Sequence, residues 1–421
     1  MRGIIRNGVA WAGFFMALQV CASPGDLTVS AERLTQCQQQ ASQRTVSEVR
    51  EAIKQKDLAR ALSLLTKPDK STPPEQRYLY GKVLYLQAYE RVHRHEVENP
   101  DSALLASATQ YIAAAARLGN GEALYDQAML LTPGEHSERR QELLRQAADK
   151  QYVPAMMELA EEYFLSSQTY ERRVDAQALI QKAAELDTSA KLRLAEYYLH
   201  DDPRLTNTTG YDKNVEKAIQ LYFEVAQACD GRGALHLYEL AEFKHKPNAL
   251  APSRAIYWLD IAGELGLAEA QGRLAEYYYK IEPRREEAIA WGERAATNAN
   301  VTGMIVLGNI YYQGNGGEKD PARALQYYEL ALKVDPDNRH VQDQLGMMYY
   351  KGEGSAVDYT KAAEFCKLAA NKGQPGCQYY LGLMYVNGEG VTQDIDRGIS
   401  WIRKSAAQEF SIAKNWLREN W

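Results

Sequence analysis

The sequence predicts an all-α protein, an α-solenoid in which about ten antiparallel helix pairs stack as a right-handed superhelix. Three observations predict this fold. A motif of the form Leu-Gly-x-x-Tyr-x-x-Gly-x-Gly begins at Leu307, Leu345 and Leu381, at intervals of 38 and 36 residues. A small–aromatic–small pattern with helical spacing follows each copy and recurs upstream. No alternating pattern typical of strands stands out, and a fixed period of this length is typical of stacked helical repeats.

The motif predicts a first helix and the turn that ends it. Leu307, Gly308 and Tyr311 fall on one helix face, and Gly308 lets a neighbouring helix approach closely because it has no side chain. Gly314 ends the helix, since glycine adopts positive φ without strain. Asp320-Pro321 then starts the second helix, with aspartate as N-cap and proline at the first helical position.

The second helices place small residues on either side of an aromatic residue. After Leu307, these are Ala324 and Ala331, which admit the first helix while the aromatic side chain fills the space beside it. We expect the aromatic residues at this position to form a column of core packing rather than a ligand cage. The column consists of Trp258, Trp291, Tyr327, Phe365 and Trp401.

Together with Ala369-Ala370 and Gly373 after the second helix, these motifs resemble the Sel1-like repeat, a relative of the tetratricopeptide repeat. The resemblance is close over 301–410. Upstream units keep the hydrophobic skeleton and lose the glycine turn. The resemblance implies an array of helix pairs that binds another protein and uses no cofactor.

Residues 1–22 are typical of an export signal. A positively charged start precedes the apolar run Val9 to Val20, which is too short to span a bilayer comfortably. Cleavage near Ala22 would give a periplasmic or secreted protein. The alternatives are a lipoprotein acylated at Cys21, the one case in which we expect membrane attachment, and an uncleaved anchor or no export.

The rest of the chain divides into five stretches. They are a polar leader (23–43), degenerate N-terminal helical repeats (44–151), central repeats (152–300), well-matched repeats (301–410) and a capping helix (411–421). One leucine interval in the central repeats is longer than the others because of an insertion at 201–212. This insertion is rich in Asp, Asn, Thr and Gly, so we expect an enlarged turn there.

The first helices carry the best candidate binding surface. The residue two positions after the motif leucine lies about 200° from it around the helix, away from the core. In superhelices of this kind the first helices line the concave surface. We therefore expect a ladder of carboxylates with interleaved arginines that binds a basic segment of a partner protein; the alternative is a solvated helix face. The ladder consists of Glu161, Glu196, Glu242 and Glu276, with Arg193 and Arg273.

In the three C-terminal units this position is no longer acidic. We expect an apolar and aromatic surface there, suited to protein contact. The alternative is partly buried packing against a neighbouring helix. The residues are Asn309, Met347 and Leu383, surrounded by Tyr312, Tyr350, Tyr380 and Gln344.

Two of the five cysteines are candidates for a disulfide. Cys366 lies on a second helix and Cys377 opens the next first helix, so they face each other across a turn. In an oxidising compartment they could form a bond of about 3 kcal/mol for so short a loop. Cysteine-rich relatives of the family carry such a pair in every unit. Cys37 and Cys229 are expected to lie too far apart along a solenoid to pair.

Composition and missing motifs exclude several classes of function. The 421 residues carry a net charge of −6, and this mild acidity argues against nucleic acid or anionic lipid as the main target. No Cys-x-x-Cys pair occurs, so we expect no metal site. No Gly-x-Ser-x-Gly nucleophile elbow occurs either. We expect no catalytic residues.

These features predict a non-enzymatic scaffold or adaptor that binds a protein partner in the cell envelope. Similar exported proteins imply one alternative, a component of an exopolysaccharide secretion machine. The tyrosines permit a second, a glycan or peptidoglycan binder. A third follows from cysteine-rich relatives proposed to bind or hydrolyse β-lactams, although the sequence shows no clustered nucleophile and base.

Overall fold

The computed structural model describes residues 32–33, 53, 56, 58, 74–93, 101–131, 137–166, 170–200, 209–242, 255–315 and 317–420. The expected signal peptide with Cys21, nearly all of the polar leader with Cys37, and nearly all of the first predicted helix pair lie outside these residues. Most of the insertion at 201–212 lies outside them as well.

The described residues form nineteen helices and no strand, which confirms the predicted all-α solenoid. The N-terminal unit, Met1–Pro252, contains α1 (Pro74–His93), α2 (Ser102–Arg117), α3 (Gly121–Met129), α4 (Ser137–Asp149), α5 (Val153–Ser166), α6 (Tyr170–Leu186), α7 (Thr188–Leu199), α8 (Val215–Gln227) and α9 (Gly231–Glu242). The C-terminal unit, Ser253–Trp421, contains α10 (Ala255–Glu264), α11 (Ala268–Lys280), α12 (Arg285–Thr297), α13 (Val301–Gln313), α14 (Pro321–Val334), α15 (Arg339–Lys351), α16 (Tyr359–Asn371), α17 (Pro375–Asn387), α18 (Ile395–Ala407) and α19 (Ser411–Asn420).

Successive helices pack as pairs within each unit. The pairs run from α1/α2 to α7/α8 in the N-terminal unit and from α11/α12 to α17/α18 in the C-terminal unit. We call the first member of a pair, and α9, a first helix, and the second member a second helix. In the C-terminal unit α11 also contacts α13, and α15 contacts α17. α11 and α13 therefore lie side by side, as do α15 and α17, and we call the solvent-facing side of these first helices the first-helix wall.

The local signals in the sequence explain where these helices start and stop. The C-cap of α13 is Gly314, at a φ of 83°, which a residue with a Cβ adopts only with strain. Asp320 caps α14 by accepting a hydrogen bond from the Arg323 amide at 3.0 Å, and Pro321 occupies the first turn. Both ends fall where the sequence places them.

A contact between two helices of one pair repeats along the chain, and we call it the tyrosine clasp. The motif tyrosine Tyr311 accepts a hydrogen bond through its carbonyl from the amide of the N-cap residue Asp320, at 2.8 Å. The guanidinium of Arg323 lies 5.3 Å from the centre of the same tyrosine ring. Both contacts recur, with other cations, at Tyr198, Tyr278, Tyr349 and Tyr385. In each of these five pairs, a backbone hydrogen bond and a cation–π contact therefore join the first helix to the start of the second helix.

The motif glycines mark the points where second helices approach most closely. A Cβ on Gly308 would lie 2.6 Å from the Tyr328 ring of α14. The ring crosses α13 at this point and is fully buried. Gly346 has the same role in the next pair, where a Cβ would lie 2.5 Å from Cys366 Sγ.

The predicted aromatic column is only partly core. Trp258 is 1% exposed, as a core residue should be. Trp291, Tyr327, Phe365 and Trp401 are partly buried. Their outer faces are open because the small residues on either side, and not the aromatic residue itself, face the first helix.

The described end of the insertion and the C-terminal helix both pack on their neighbours. Tyr211, at the end of the insertion, is buried and stacks on Tyr197 with 5.6 Å between ring centres. Helix α19 packs on α18 and buries Ala413, with Trp416 and Leu417 partly buried against the core.

Candidate interaction surface

Arg193 on α7 lies between two of the predicted glutamates. Its Nη2 is 3.3 Å from Glu161 Oε1 on α5, and its Nη1 is 3.1 Å from Glu196 Oε2 on its own helix. The three side chains are 50%, 42% and 46% exposed, respectively. The ladder residues of α5 and α7 therefore form one solvent-facing ionic network, in which a single cation serves two carboxylates.

Two further glutamates of α5 are tied to a buried arginine. Arg140, on α4, is 4% exposed and forms ion pairs with Glu158 and Glu162. Its Nη1 also donates to the carbonyl of Ala128 at 3.1 Å. This arrangement satisfies a buried guanidinium, so Arg140 holds α3, α4 and α5 together and is not exposed for partner binding.

The tyrosines between these helices show that the carboxylates share one electrostatic field. Burial is the main cause of the raised pKa of Tyr197, and the Glu161 and Glu196 carboxylates raise it further against the effect of Arg193. Burial also raises the pKa of Tyr222, with contributions from Glu196 and Glu239. A tyrosinate is disfavoured beside a carboxylate. The pKa of each tyrosine is therefore raised by the glutamates on the helices on either side of it.

We call these acids of α5, α7 and α9 the acidic strip. Its members are Glu158, Glu161, Glu196, Glu239 and Glu242. Glu242, the last residue of α9, is exposed. The strip lies entirely within the N-terminal unit.

The other predicted ladder residues, Arg273 and Glu276, lie on α11 in the C-terminal unit. Arg273 Nη2 is 2.7 Å from Glu269, and Glu276 is 2.6 Å from Lys280 Nζ. Both are pairs between residues one turn apart on a single helix. The charges on α11 are therefore paired within one helix, whereas Arg193 of the acidic strip pairs with carboxylates on two helices.

The three predicted contact tyrosines make hydrogen bonds or ring contacts within the unit. The Tyr312 hydroxyl donates to Glu353 at 2.7 Å and the Tyr350 hydroxyl to Glu389 at 3.1 Å. Both acceptors lie in the Gly-Glu-Gly turn of the following pair. Tyr380 is 7% exposed and packs on Tyr350, with 4.9 Å between ring centres. These rings join successive pairs, and their role in partner binding stays a prediction.

The outermost side chains of this wall are the residues two positions after the motif leucine. Asn309, Met347 and Leu383 are all partly exposed. Gln313, which the sequence analysis did not single out, is exposed beside them and accepts a hydrogen bond from the Tyr279 hydroxyl at 3.1 Å. Tyr312 and Tyr350, at the same position of their helices as Tyr279, bond glutamates instead, so the sequence alone does not indicate this bond.

Cys366 and Cys377 are joined by a disulfide, with 4.7 Å between their Cα atoms. Both are fully buried, next to Gly346. Cys229 is also disulfide-bonded. Its partner lies outside the described residues, as does Cys37, whose predicted separation from Cys229 stays a prediction.

Two buried carboxyls have strongly raised pKa values. Burial, with a smaller effect of Glu264, raises the pKa of Asp260 to about 7 against the opposing effect of Arg284. Burial raises that of Asp343 to about 6, although its carboxylate accepts a hydrogen bond from the Cys377 amide at 2.7 Å. Asp343 caps α17, whose N-cap residue Gln374 makes no side-chain cap bond. Its role is therefore structural.

No group of three or more His, Cys, Asp or Glu side chains in the described part of the chain is arranged to hold a metal ion. Among the helices described, none combines the length and apolar character that crossing a bilayer requires.

Comparison with known proteins agrees with this architecture. The family model of the Sel1 repeat matches six segments, 188–228, 237–267, 268–300, 301–333, 340–374 and 375–410. A crystal structure of a Sel1 repeat protein from Oxalobacter formigenes is 20% identical, with a TM-score of 0.50, covering 85% of this chain and 99% of that one. A protective antigen with an SLR fold from uropathogenic Escherichia coli is 20% identical, with a TM-score of 0.44, covering 92% and 89% of the two chains.

A curated relative is more distant. Chitin synthase regulatory factor 3 from Schizosaccharomyces pombe is 27% identical over 206 residues, which are 37% of this chain and 21% of the relative. The chain thus spans about a fifth of that protein's length. Solenoids built from these repeats generally mediate protein–protein interactions. The six matched segments and the helix-pair architecture show that this chain belongs to the Sel1 repeat family.

Proposed function

We propose that this chain is a non-enzymatic scaffold or adaptor of the cell envelope that binds a protein partner through its first helices. The observation that carries the proposal is the acidic strip, which places five carboxylates on three successive first helices; Arg193 bridges two of them, and Glu158 is also tied to Arg140. A preformed row of like charges attracts an oppositely charged segment and accelerates its association. The partner segment should therefore be rich in lysine or arginine.

Charge reversal tests this surface. Glu196→Lys with Glu242→Lys should weaken capture of the partner, because both side chains are exposed in the strip. Glu185→Lys with Glu216→Lys is the matched control, since these exposed residues of α6 and α8 give the same change in net charge. Crosslinking in the native envelope, followed by mass spectrometry, measures capture. Equal capture by both double variants would remove the acidic strip from consideration.

Location in the envelope is tested separately, from the mature N-terminus. Mass spectrometry of the protein purified from its own cells should find a chain that begins at Ser23. A lipid-modified Cys21 at the N-terminus would assign a lipoprotein instead, and a retained Met1 would contradict cleavage.

A second candidate function is regulation of a polysaccharide-synthesising enzyme. It is favoured by the curated relative, whose name describes a regulatory factor of chitin synthase, and it agrees with the exopolysaccharide alternative. The same crosslinking experiment addresses it, because a captured glycosyltransferase or secretion subunit would identify the pathway. Direct glycan binding is less favoured, since the Tyr350 and Tyr380 rings pack on each other.

A further inference from the structure

The three Gly-x-Gly turns that follow α13, α15 and α17 differ in their middle residue. After α15 and α17 this residue is a glutamate, Glu353 or Glu389. Each glutamate accepts a hydrogen bond from a tyrosine of the preceding pair, from Tyr312 at 2.7 Å and from Tyr350 at 3.1 Å. After α13 the middle residue is Asn315. The turn after α13 therefore carries a neutral amide where the other two carry a carboxylate.

The tyrosine that would match this turn is present on α11. Tyr279 lies five residues after its motif leucine, as Tyr312 does on α13. Its hydroxyl donates to Gln313 at 3.1 Å instead of to a turn carboxylate. Tyr279 and Asn315 nevertheless line the same cavity, of about 610 Å³.

Arg285, at the start of α12, lines this cavity as well. A Cβ on Gly317 would lie 2.6 Å from its Cζ, so the guanidinium packs against the turn that contains Asn315. Its Nε is buried without a hydrogen-bond partner in the described part of the chain. Glu286 and Glu287 also line the cavity, but neither forms an ion pair with Arg285. A carboxylate at position 315 would therefore meet a guanidinium that has no carboxylate partner among the described residues.

The residue that follows Asn315 gives it the means to acquire such a carboxylate. Asn-Gly is the dipeptide in which asparagine deamidates most readily, because glycine has no side chain to hinder its peptide nitrogen. The nitrogen of Gly316 attacks the side-chain carbonyl carbon of Asn315 and forms a C–N bond. The amide nitrogen leaves as ammonia and takes the proton of the peptide nitrogen. Water then opens the succinimide to aspartate or isoaspartate.

Two of the other three Asn-Gly dipeptides are held by hydrogen bonds that oppose this reaction. At Asn387-Gly388 the attacking nitrogen donates to the carbonyl of Met384 at 2.8 Å. At the N-cap of α3, the side-chain oxygen of Asn120 accepts from the amide of Ala123 at 2.8 Å. The fourth dipeptide, Asn7-Gly8, lies outside the described residues.

The Asn315 side chain is not held in this way. It is exposed, and it makes no hydrogen bond within the part of the chain that the structure describes. Its amide carbon is therefore accessible to the following nitrogen.

We propose that Asn315 is a site of spontaneous deamidation, and that the carboxylate formed there pairs with Arg285 in the cavity that both share with Tyr279. The product places a negative charge where Glu353 and Glu389 carry theirs in the later turns. A charge-assisted bond to Arg285 then joins the pair α11/α12 to the pair α13/α14. No partner protein takes part, so the proposed function can fail without affecting this modification.

The rate of conversion tests the first half of the proposal. The full-length protein is incubated at mildly alkaline pH, and peptide mapping by mass spectrometry follows the mass increase of amide-to-acid conversion at each asparagine. Asn315 should convert at least about fivefold faster than Asn120 and Asn387, as the one hydrogen bond that protects each of these predicts. Gly316→Ala should abolish most of the conversion at Asn315 and leave that at Asn387 unchanged.

The melting temperature tests the second half. Asn315→Asp should raise it by about 1–3 °C, as one modest ion pair predicts. The gain should disappear in the Arg285→Met background. Asn371→Asp, at an exposed amide of α16, gives the same change in charge away from the cavity and should bring no gain.

Several results would overturn the proposal. Conversion at Asn315 that is absent, or no faster than at Asn120 and Asn387, would remove the modification site. A melting temperature that Asn315→Asp leaves unchanged, or a gain that persists in the Arg285→Met background, would remove the pairing with Arg285.

Discussion

Asp260 is a carboxyl group whose burial opposes its ionisation. Its pKa is raised to about 7, first by burial and then by Glu264. Since this value lies above the ordinary 3.8, the folded protein binds the proton more tightly than the unfolded chain does. The neutral carboxyl therefore contributes stability at low pH, and that contribution is lost as the pH rises from about 4 through 7.

Replacing this group by a neutral isostere should stabilise the protein at neutral pH. Asp260→Asn should raise the free energy of unfolding by about 2–4 kcal/mol at pH 8 and change it little at pH 4. Urea denaturation at both pH values measures the difference. Glu364→Gln, at an exposed site on α16, is the control and should show no such pH dependence. An equal effect of Asp260→Asn at both pH values would contradict the assigned burial.

At the scale of the helix, the spacing between first and second helices depends on what lies over each motif glycine. Gly346 faces the Cys366–Cys377 disulfide, and a Cβ there would lie 2.5 Å and 2.7 Å from the two sulfurs. Sulfur atoms held in a disulfide cannot rotate away. α15 therefore has to move if residue 346 gains a side chain.

A double-mutant cycle tests this contact. Gly346→Ala should cost about 1–3 kcal/mol in the wild type, as overpacking of a core does. Its cost should fall when Cys366→Ala and Cys377→Ala are also present, because the sulfurs are gone. The cysteine substitutions alone should cost about 3 kcal/mol. Thermal unfolding of the variants gives the coupling energy, and a cost of Gly346→Ala that is the same in both backgrounds would refute the contact.

Helix positions were predictable from the sequence because their signals are local. Gly314 and Asp320-Pro321 each dictate backbone geometry by their own chemistry, so the end of α13 and the start of α14 follow without knowledge of any neighbour. The outward direction of Glu161 and Glu196 follows similarly from helical spacing. Nothing more than the period of the helix is needed for such inferences.

Contacts between pairs could not be predicted in the same way. Gln271, Gln342 and Gln378 each donate to the carbonyl of a residue six to eight positions earlier. Asn298 and Gln408 complete two of these sites by donating to the glutamine oxygen. At Gln342 the corresponding residue, Lys372, instead bonds Asp337 at 2.9 Å, and Oε1 is left buried without a hydrogen bond among the described residues. Such choices depend on three-dimensional neighbours that the sequence does not reveal.

The same limit applies to the interaction surface. The sequence placed Asn309 on the wall, but the orientation of its amide depends on Tyr328 of another helix passing over Gly308. Trp291 was predicted to be a core residue from its helical position, but its ring is partly exposed. The Arg294 guanidinium lies 4.7 Å from the centre of that ring.

At the scale of the whole molecule, we predict that the C-terminal unit folds alone. One of its core clusters extends from Met304 to Ala413, and α19 packs on its last pair. Residues 253–421 expressed separately should be helical and unfold cooperatively by circular dichroism.

Removal of α19 from this fragment should lower its melting temperature, because Trp416 and Leu417 would no longer cover the core. A fragment 253–421 without a cooperative transition would show that its stability depends on residues outside the unit.

The tyrosine clasp has an evolutionary consequence. Its carbonyl acceptor, its amide donor and its cation all belong to one helix pair, so copying or deleting a complete pair of about 36 residues breaks no clasp. Unequal recombination between neighbouring copies in the gene would then lengthen or shorten the protein by whole helix pairs, or modules. Each added module would already contain its own tyrosine clasp. The contacts that join one module to the next, such as the hydrogen bonds of Tyr312 to Glu353 and Tyr350 to Glu389, would need to be selected again.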